Sequence, residues 1–228
     1  MSHFISALLL AGGTGSRFGS AVPKQFLPLG NKLIAHHSLE LFLKCPLIKE
    51  IVIVCDSNNT HYFSEYTDEK IRFAPPGITR QGSVQQGLLR VSPEAQYICI
   101  HDSARPLVSQ KEILNLIEEG IEHKAAALGV PAKNTIKEVD HSGYAIATLD
   151  RSKLWEMQTP QILSSKLLWK GLDLANQNNI TATDDIALAE LLGLKPKIVL
   201  SSYRNIKITT KEDIWIAKAL MEIMHAEI

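Results

Sequence analysis

The chain has 228 residues, in which 24 lysines and arginines balance 24 aspartates and glutamates. This length suits one large domain or two small ones, and we expect one domain over residues 1–228. Because the positive and negative charges cancel, no global field favours nucleic acid or an anionic membrane, so any anion site must be built locally.

The apolar runs and the cysteines indicate where in the cell the protein is located. The longest wholly apolar stretch near the amino end, residues 7–11, is far shorter than the roughly 20 residues of a membrane-spanning helix, and no signal-peptide pattern precedes it. Cys45, Cys55 and Cys99 are odd in number and widely spaced, which favours reduced structural thiols over a disulfide framework or a zinc site. We therefore expect a cytoplasmic protein.

The first predicted strand, residues 5–11, runs directly into a glycine-rich segment. Gly12, Gly13 and Gly15 allow backbone N–H groups to approach a ligand closely. Arg17 adds a fork of hydrogen-bond donors and Lys24 adds a compact positive charge. The segment therefore predicts a polyphosphate site.

Two common nucleotide-binding fingerprints do not fit this segment. The dinucleotide pattern G-x-G-x-x-G fails because Phe18 stands where the third glycine is required. The P-loop pattern G-x-x-x-x-G-K-[ST] fails because neither Gly15 nor Gly19 is followed by Lys and then Ser or Thr.

Apolar periodicity predicts alternating strands and helices along the rest of the chain. The predicted strands cover residues 51–55, 72–74, 97–100, 125–130, 197–200 and 205–209. The predicted helices lie near residues 33–42, 79–91, 113–121, 164–176 and 184–192, with a last helix from Thr210. This alternation predicts a Rossmann-like α/β fold, a mostly parallel sheet with helices on both faces. Ligands bind at the carboxyl ends of such strands, where the charged loops 12–24 and 101–106 both fall.

Two short strand-like stretches interrupt the alternation. Residues 135–139 and 144–148 flank a turn of hairpin composition at residues 140–143. A lone two-stranded hairpin is marginal in water, so we expect an arm at about residues 133–150 that packs on a second subunit. The polar residues 158–161 that follow are too specific for a linker, and we assign them to no element.

Eight motifs occur in order within residues 7–209. They are AGGTGSRFG, PKQFLPL, TRQGSV, HDSARP, DRSKLW, QTPQ, TDD and NIKIT. In this order the chain resembles the 2-C-methyl-D-erythritol 4-phosphate cytidylyltransferases, nucleotidyltransferases of the non-mevalonate isoprenoid pathway. DRSKLW with QTPQ distinguishes this family from the related ribitol 5-phosphate cytidylyltransferases.

The resemblance implies transfer of CMP from CTP to 2-C-methyl-D-erythritol 4-phosphate by direct attack on the α-phosphorus, with pyrophosphate leaving. Arg17, Lys24 and Lys207 are then the catalytic residues around the α-phosphate. Mg²⁺ is the expected cofactor, and Asp102 is the residue assigned near the metal. For the adjacent His101 we expect a structural role.

The resemblance also implies a nucleotide site and a substrate site. The nucleotide-binding residues are Ala11, Gly12, Gly13, Gly15, Gly77, Ser83 and Asp102, with cytosine read around residues 77–83. The residues for the methylerythritol phosphate are Arg105, Thr135, Arg151, Thr159 and Thr183. In the family the hairpin arm reaches across a homodimer, so Thr135 and Arg151 are expected to serve the neighbouring subunit's site.

Two residues depart from the family pattern. Gly82 stands where an Asp commonly precedes Ser83, and Ser103 stands where Ala is usual, which puts nucleotide selectivity and local stability in doubt.

Three other functions stay open. The first is a cytidylyltransferase that acts on ribitol 5-phosphate. A nicotinamide-dependent oxidoreductase is disfavoured by the missing third glycine. A regulatory protein that binds nucleotide without chemistry is disfavoured because it would need fewer charges aimed at one phosphorus.

Overall fold

The computed structural model describes residues 3–13, 18 and 22–226. The strands are β1 (Ile5–Leu10), β2 (Pro28–Leu29), β3 (Lys32–Leu33), β4 (Ile48–Val54), β5 (Ile71–Ala74), β6 (Tyr97–Asp102), β7 (Ala125–Pro131), β8 (Lys137–Val139), β9 (Ala145–Thr148), β10 (Trp155–Ser164) and β11 (Lys197–Leu200). The α-helices are α1 (Ile34–Lys44), α2 (Arg80–Leu88), α3 (Gln110–His123), α4 (Ser165–Gln177), α5 (Ala187–Leu191) and α6 (Lys211–Ala226). Short 3₁₀ helices occur at Lys24–Phe26, Ser57–Phe63 and Arg151–Lys153.

The main sheet has seven strands in the order β11-β7-β10-β6-β1-β4-β5. β10 runs antiparallel to both of its neighbours, β6 and β7, and the other neighbouring strands pair in parallel. This sheet confirms the predicted Rossmann-like, mostly parallel α/β class.

Helices cover both faces of the sheet because the side chains of the central strand alternate between two apolar cores. Ile5, Ala7 and Leu9 of β1 belong to a core that also contains residues of α1 and α3. Leu8 belongs to the opposite core, with residues of α2, α4 and α5. A strand that is buried on both faces has a nearly continuous apolar sequence, as β1 does.

Polar residues set where several helices begin. The Thr79 side chain accepts a hydrogen bond from the N–H of Gly82 at the start of α2. Ser109 and Glu112 form a complete capping box at the start of α3. At α6 the Asp213 carboxylate accepts from the N–H groups of Thr209 (2.7 Å) and Thr210 (2.8 Å), so Asp213 caps the start of this helix.

Two elements differ from the sequence prediction. The strand predicted at residues 205–209 was wrong, because the Ile208 N–H bonds the Ala104 carbonyl in a loop and no strand ladder forms there. Residues 158–161 belong to the long strand β10. These residues lack the alternation of apolar and polar side chains that predicts a strand. Gln158, Thr159 and Gln161 are polar, and they are buried against hydrogen-bonding partners.

The predicted hairpin is present and exposed. β8 and β9 pair antiparallel, and the Asp140 carboxylate closes the turn by accepting from the N–H groups of Ser142 and Tyr144. Gly143 has φ +86°, a conformation that suits glycine. Val139, Tyr144 and Ile146 remain more than half exposed, so the hairpin carries an apolar surface.

The carboxyl ends of β1, β4 and β6 meet one another at one edge of the sheet. A small third core lies near this edge, where Ala217 of α6 packs with Phe18, Leu107 and Ile208. Among the helices of the described residues, none has the length and apolar character that crossing a membrane requires.

Candidate active site

A cleft of about 340 Å³ opens at the carboxyl ends of β1 and β6. It is lined by Leu10, Gly12, Gly13, Lys24, Gln25, Gly77, Ile78, Thr79, Arg80, Ser83, Asp102, Ser103, Ala104 and Lys207. Residues far apart in the sequence therefore converge at the edge where a doubly wound sheet binds its ligands.

The glycine segment forms one wall of the cleft. The Ala11 N–H donates to the Val54 carbonyl (2.8 Å) and so extends the β1–β4 pairing up to the first glycine. A Cβ at Gly12 would lie 2.4 Å from the Cβ of Pro76, whereas a Cβ at Gly13 would have no described atom within 4 Å. Gly12 thus permits close contact with the opposite loop. The predictions for Gly15 and Arg17 fall outside the described residues.

Lys24 lies on the short 3₁₀ helix Lys24–Phe26. Phe26 anchors this helix, because its ring is buried and stacks on Tyr62 with centroids 4.3 Å apart. The backbone also closes a turn in which the Phe26 N–H donates to the Pro23 carbonyl (2.9 Å). Lys24 is therefore presented to the cleft from a rigid support.

Asp102, at the end of β6, is held between two cations. Arg80 Nε donates to Asp102 Oδ1 (3.1 Å) and Lys207 Nζ donates to Oδ2 (2.5 Å). Only 11% of the Asp102 side chain is exposed, whereas Lys207 is more than a third exposed. The sequence places these three residues in three separate motifs, and the fold joins them in one cluster.

Burial and charge act in opposite directions on the carboxylate of Asp102. Burial alone would raise its pKa, but the nearby Arg80 and Lys207 outweigh burial and hold the pKa of Asp102 well below its usual range. Asp102 is therefore ionised at neutral pH.

Arg80 is a site residue that the sequence analysis did not name. Its guanidinium forms a bidentate pair with the Asp185 carboxylate (2.7 Å for each bond) while also donating to Asp102. Burial raises the pKa of Asp185, and the charge of Arg80 opposes that shift. The available signal was the presence of Arg80 in TRQGSV and of Asp185 in TDD, but which charges meet depends on the fold.

A chain of hydrogen bonds lies behind Asp102. The Asp102 N–H donates to Thr159 Oγ1 (3.0 Å), and this hydroxyl lies 3.1 Å from His101 Nδ1. His101 Nε2 lies 3.1 Å from the Arg105 carbonyl, an acceptor that assigns the ring proton to Nε2. Burial lowers the pKa of His101 to about 4, so the ring is neutral at neutral pH. The Thr159 hydroxyl, predicted to contact the substrate, is buried here and supports Asp102.

The side chain of Arg105 lies within the protein. Its guanidinium donates to the carbonyls of Asn205 (2.7 Å) and Met157 (3.4 Å). The Asn205 amide in turn donates to the Gln158 side chain and to the Thr159 carbonyl. Arg105 thus fastens the segment that carries Lys207, and the substrate contact predicted for it stays a prediction.

The loop after β5 also lines the cleft. The Gly77 N–H donates to Ser83 Oγ (3.0 Å), and the Ser83 hydroxyl lies 3.0 Å from the Thr79 carbonyl. A Cβ at Gly77 would lie 2.3 Å from the backbone of Gly82. The predicted nucleotide residues Gly77 and Ser83 therefore hold a tight turn in which two backbone segments touch.

Both departures from the family pattern fit the structure locally. The Ser103 hydroxyl donates to the Leu10 carbonyl (2.8 Å), so the polar group is satisfied although buried. A Cβ at Gly82 would lie 3.3 Å from Thr79 Oγ1 and 3.5 Å from Gly77 Cα. A side chain at this position is therefore accommodated by a small adjustment.

Comparison with known sequences settles the family. The family described as IspD, 2-C-methyl-D-erythritol 4-phosphate cytidylyltransferase, matches residues 5–223, nearly the whole chain. The chain belongs to this family. The five motifs that line the cleft, AGG, PKQF, TRQGSV, HDSARP and NIKIT, all lie within the matched residues.

Relatives in this cytidylyltransferase family match over nearly all of the chain. The chloroplastic 2-C-methyl-D-erythritol 4-phosphate cytidylyltransferase of Oryza sativa is 44% identical over 95% of this chain and 74% of its own length. The enzyme of that name from Desulforamulus reducens is 40% identical over 96% of both chains. The crystal structure from Francisella tularensis superposes with a TM-score of 0.83 at 32% identity, covering 95% of this chain and 99% of the other.

Three residues predicted for the cytidylyltransferase substrate are not among the residues that line the cleft. Thr135 is exposed just before β8, and the exposed Arg151 donates from its guanidinium to the Lys133 carbonyl (2.6 Å). Thr183 is exposed beside a separate groove near α5. The substrate roles of all three stay predictions.

The cleft brings together seven of the predicted residues. They are Gly12, Gly13, Lys24, Gly77, Ser83, Asp102 and Lys207. Ala11 lies buried at the base of the same wall. Within residues 3–13, 18 and 22–226, no group of three or more His, Cys, Asp or Glu side chains could hold a metal ion.

Proposed function

We propose that this chain transfers CMP from CTP to 2-C-methyl-D-erythritol 4-phosphate and releases pyrophosphate. The observation that carries the proposal is the convergence of Lys24, Lys207 and Arg80 with Asp102 around one glycine-walled cleft at the carboxyl edge of the sheet. Family membership names the reaction, and this cleft supplies the charges that the reaction needs.

The reaction brings two polyanions together, so charge neutralisation and alignment are the main demands. A phosphate oxygen of the acceptor forms a bond to the α-phosphorus as the bond from that phosphorus to the pyrophosphate oxygen breaks. Lys24 and Lys207, which enter the cleft from different segments, are suited to stabilise the charge on the α-phosphate in the transition state. Arg17 is expected to join them.

Asp102 controls where Lys207 is directed. With Lys207 Nζ 2.5 Å from its carboxylate, Asp102 holds the cation at the edge of the cleft before the nucleotide enters. Arg80 bonds the other oxygen, so the carboxylate is oriented from both sides. The entering triphosphate then competes for Lys207, and Asp102 keeps Arg80 as a partner.

We also propose Mg²⁺ as the cofactor, with Asp102 as its protein ligand. The carboxylate lines the cleft and is ionised, and its burial and anionic charge fit a hard cation that binds one or two carboxylates together with phosphate oxygens. When bound, the cation would neutralise charge on the triphosphate and help the pyrophosphate to leave. Lys207 would then be released from Asp102 toward the phosphates.

A homodimer is the assembly that we propose. The hairpin β8–β9 carries exposed apolar side chains, including Tyr144 at 75% and Ile146 at 62% exposure. An exposed apolar patch on a marginal two-stranded hairpin favours burial against another subunit. In such a dimer Thr135 and Arg151, at the two ends of the arm, would serve the partner's cleft.

The cysteines support a reducing compartment. Cys45, Cys55 and Cys99 are all buried free thiols, and burial raises the pKa of Cys55 to about 11. We propose the cytoplasm as the location on this ground.

Pyrophosphate release tests the proposed function. The wild-type chain is supplied with Mg²⁺, each of CTP, UTP, ATP and GTP, and either 2-C-methyl-D-erythritol 4-phosphate or ribitol 5-phosphate. Release with CTP and the methylerythritol phosphate alone supports the proposal. Release with ribitol 5-phosphate instead would show that ribitol 5-phosphate is the acceptor. Lys207→Met should lower kcat about 100-fold or more. The matched control Lys218→Met, on the exposed face of α6, should retain wild-type kcat.

A further inference from the structure

Gln25 lies directly under the glycine wall of the cleft, and its contacts set it apart from ordinary core residues. The residue as a whole is 2% exposed. The amide Nε2 donates to the Ala11 carbonyl (2.6 Å) and to the Gly13 carbonyl (2.9 Å). One side-chain amide therefore ties together the two ends of the three-residue glycine turn.

This contact couples two separate parts of the site. Gln25 follows Lys24 in the same 3₁₀ helix, and Phe26 fixes that helix in the core. The position of the helix therefore determines both where Lys24 enters the cleft and how the carbonyls of the turn are oriented. In a turn this short, holding the carbonyls of Ala11 and Gly13 also sets the direction of the neighbouring peptide N–H groups.

We propose that Gln25 is a positioning residue for the nucleotide phosphates, acting through the glycine turn and through its link to Lys24. The inference rests on the proposed function and extends it to a residue that does not itself need to touch the ligand. Its two amide protons are the functional feature, because both carbonyls of the turn require a donor.

Two substitutions separate positioning from packing. Gln25→Met keeps the length of the side chain and removes both donors. Gln25→Glu keeps the shape and, when protonated, retains one donor, whereas its ionised form presents only acceptors to the two carbonyls. Burial next to carbonyl oxygens raises the pKa of such a carboxyl, so the protonated form should become populated on mild acidification.

The expected results follow from this difference. Gln25→Met should lower kcat/KM for CTP about 10- to 100-fold at every pH, as a small misplacement of reacting groups does. Gln25→Glu should show a similar loss at pH 8, and its activity relative to wild type should rise several-fold as the pH falls to 6. Gln177→Glu, an exposed residue at the end of α4, makes the same charge change and should match wild type at both pH values.

Calorimetric titration with CTP and Mg²⁺, together with the melting temperature of each variant, completes the test. Activity is measured well below each melting temperature, so that a loss of folded protein does not count as a loss of positioning. A wild-type protein that neither binds CTP nor turns over refutes the proposed function. If wild type is active, the positioning role is overturned by a Gln25→Met variant with wild-type kcat/KM, by a Gln25→Glu loss that does not change with pH, or by variants that do not fold.

Discussion

Arg80→Met tests the charge cluster at the centre of the cleft. The guanidinium makes two 2.7 Å bonds to Asp185, whose side chain is 3% exposed, and one 3.1 Å bond to Asp102. Removing one partner of a buried ion pair costs about 3–5 kcal/mol because the other charge stays buried without compensation. Since the Arg80 side chain is itself 30% exposed, we expect the lower end, about 3 kcal/mol.

The melting temperature measures this loss. For a chain of this size about 1 kcal/mol corresponds to roughly 2–4 °C, so Arg80→Met should melt roughly 6–12 °C below wild type. The matched control Arg90→Met, exposed after α2, should melt within about 2 °C of wild type. Among the described residues, Lys207 is then the cation that stays bonded to Asp102. The variant should therefore also have a lower kcat/KM for CTP, by about tenfold.

A second substitution isolates the cause. If Asp185 destabilises Arg80→Met because its charge is stranded, the double variant Arg80→Met/Asp185→Asn should recover part of the lost stability. The destabilisation of Arg80→Met should also be smaller at pH 5 than at pH 8, because protonation removes the stranded charge. A double variant no more stable than Arg80→Met would refute this reasoning.

Three further predictions concern the histidine, the glycine turn and the arm. Burial lowers the pKa of His101 to about 4 from 6.5, so the unfolded chain binds more protons between these values. The free energy of unfolding should fall by about 1.6 kcal/mol between pH 6.5 and 5. Denaturant titrations measure this, and an equal fall in His101→Asn would contradict the assignment. Gly12→Ala, which brings a Cβ to 2.4 Å from Pro76, should raise KM for CTP about tenfold. Equal KM values for Gly12→Ala and wild type would reject the close-contact argument. Ile146→Asp should shift the proposed dimer toward monomer and lower activity; light scattering that finds the same mass for both proteins would argue against the arm as the interface.

Much of the architecture was accessible from the sequence because the signals are local. The apolar run of β1, the amphipathic pattern of α3 and the turn residues between β8 and β9 each depend on neighbours within a few positions. The segment at residues 205–209 has strand-like composition, but its backbone bonds a loop that lies about 100 positions earlier in the chain. A local pattern could not report that partner.

The same distinction applies to the site. The sequence alone predicted which segments line the cleft, because the glycines, Lys24, Asp102 and Lys207 stand in recognisable motifs. Tertiary structure decided which side chains meet, and it assigned Arg80 to Asp102 and Asp185, and Thr159 to the support of Asp102. Hydrogen bonds and ion pairs act over about 3 Å, so partners separated by up to 105 positions are selected by strand order and loop packing, which no local spacing records.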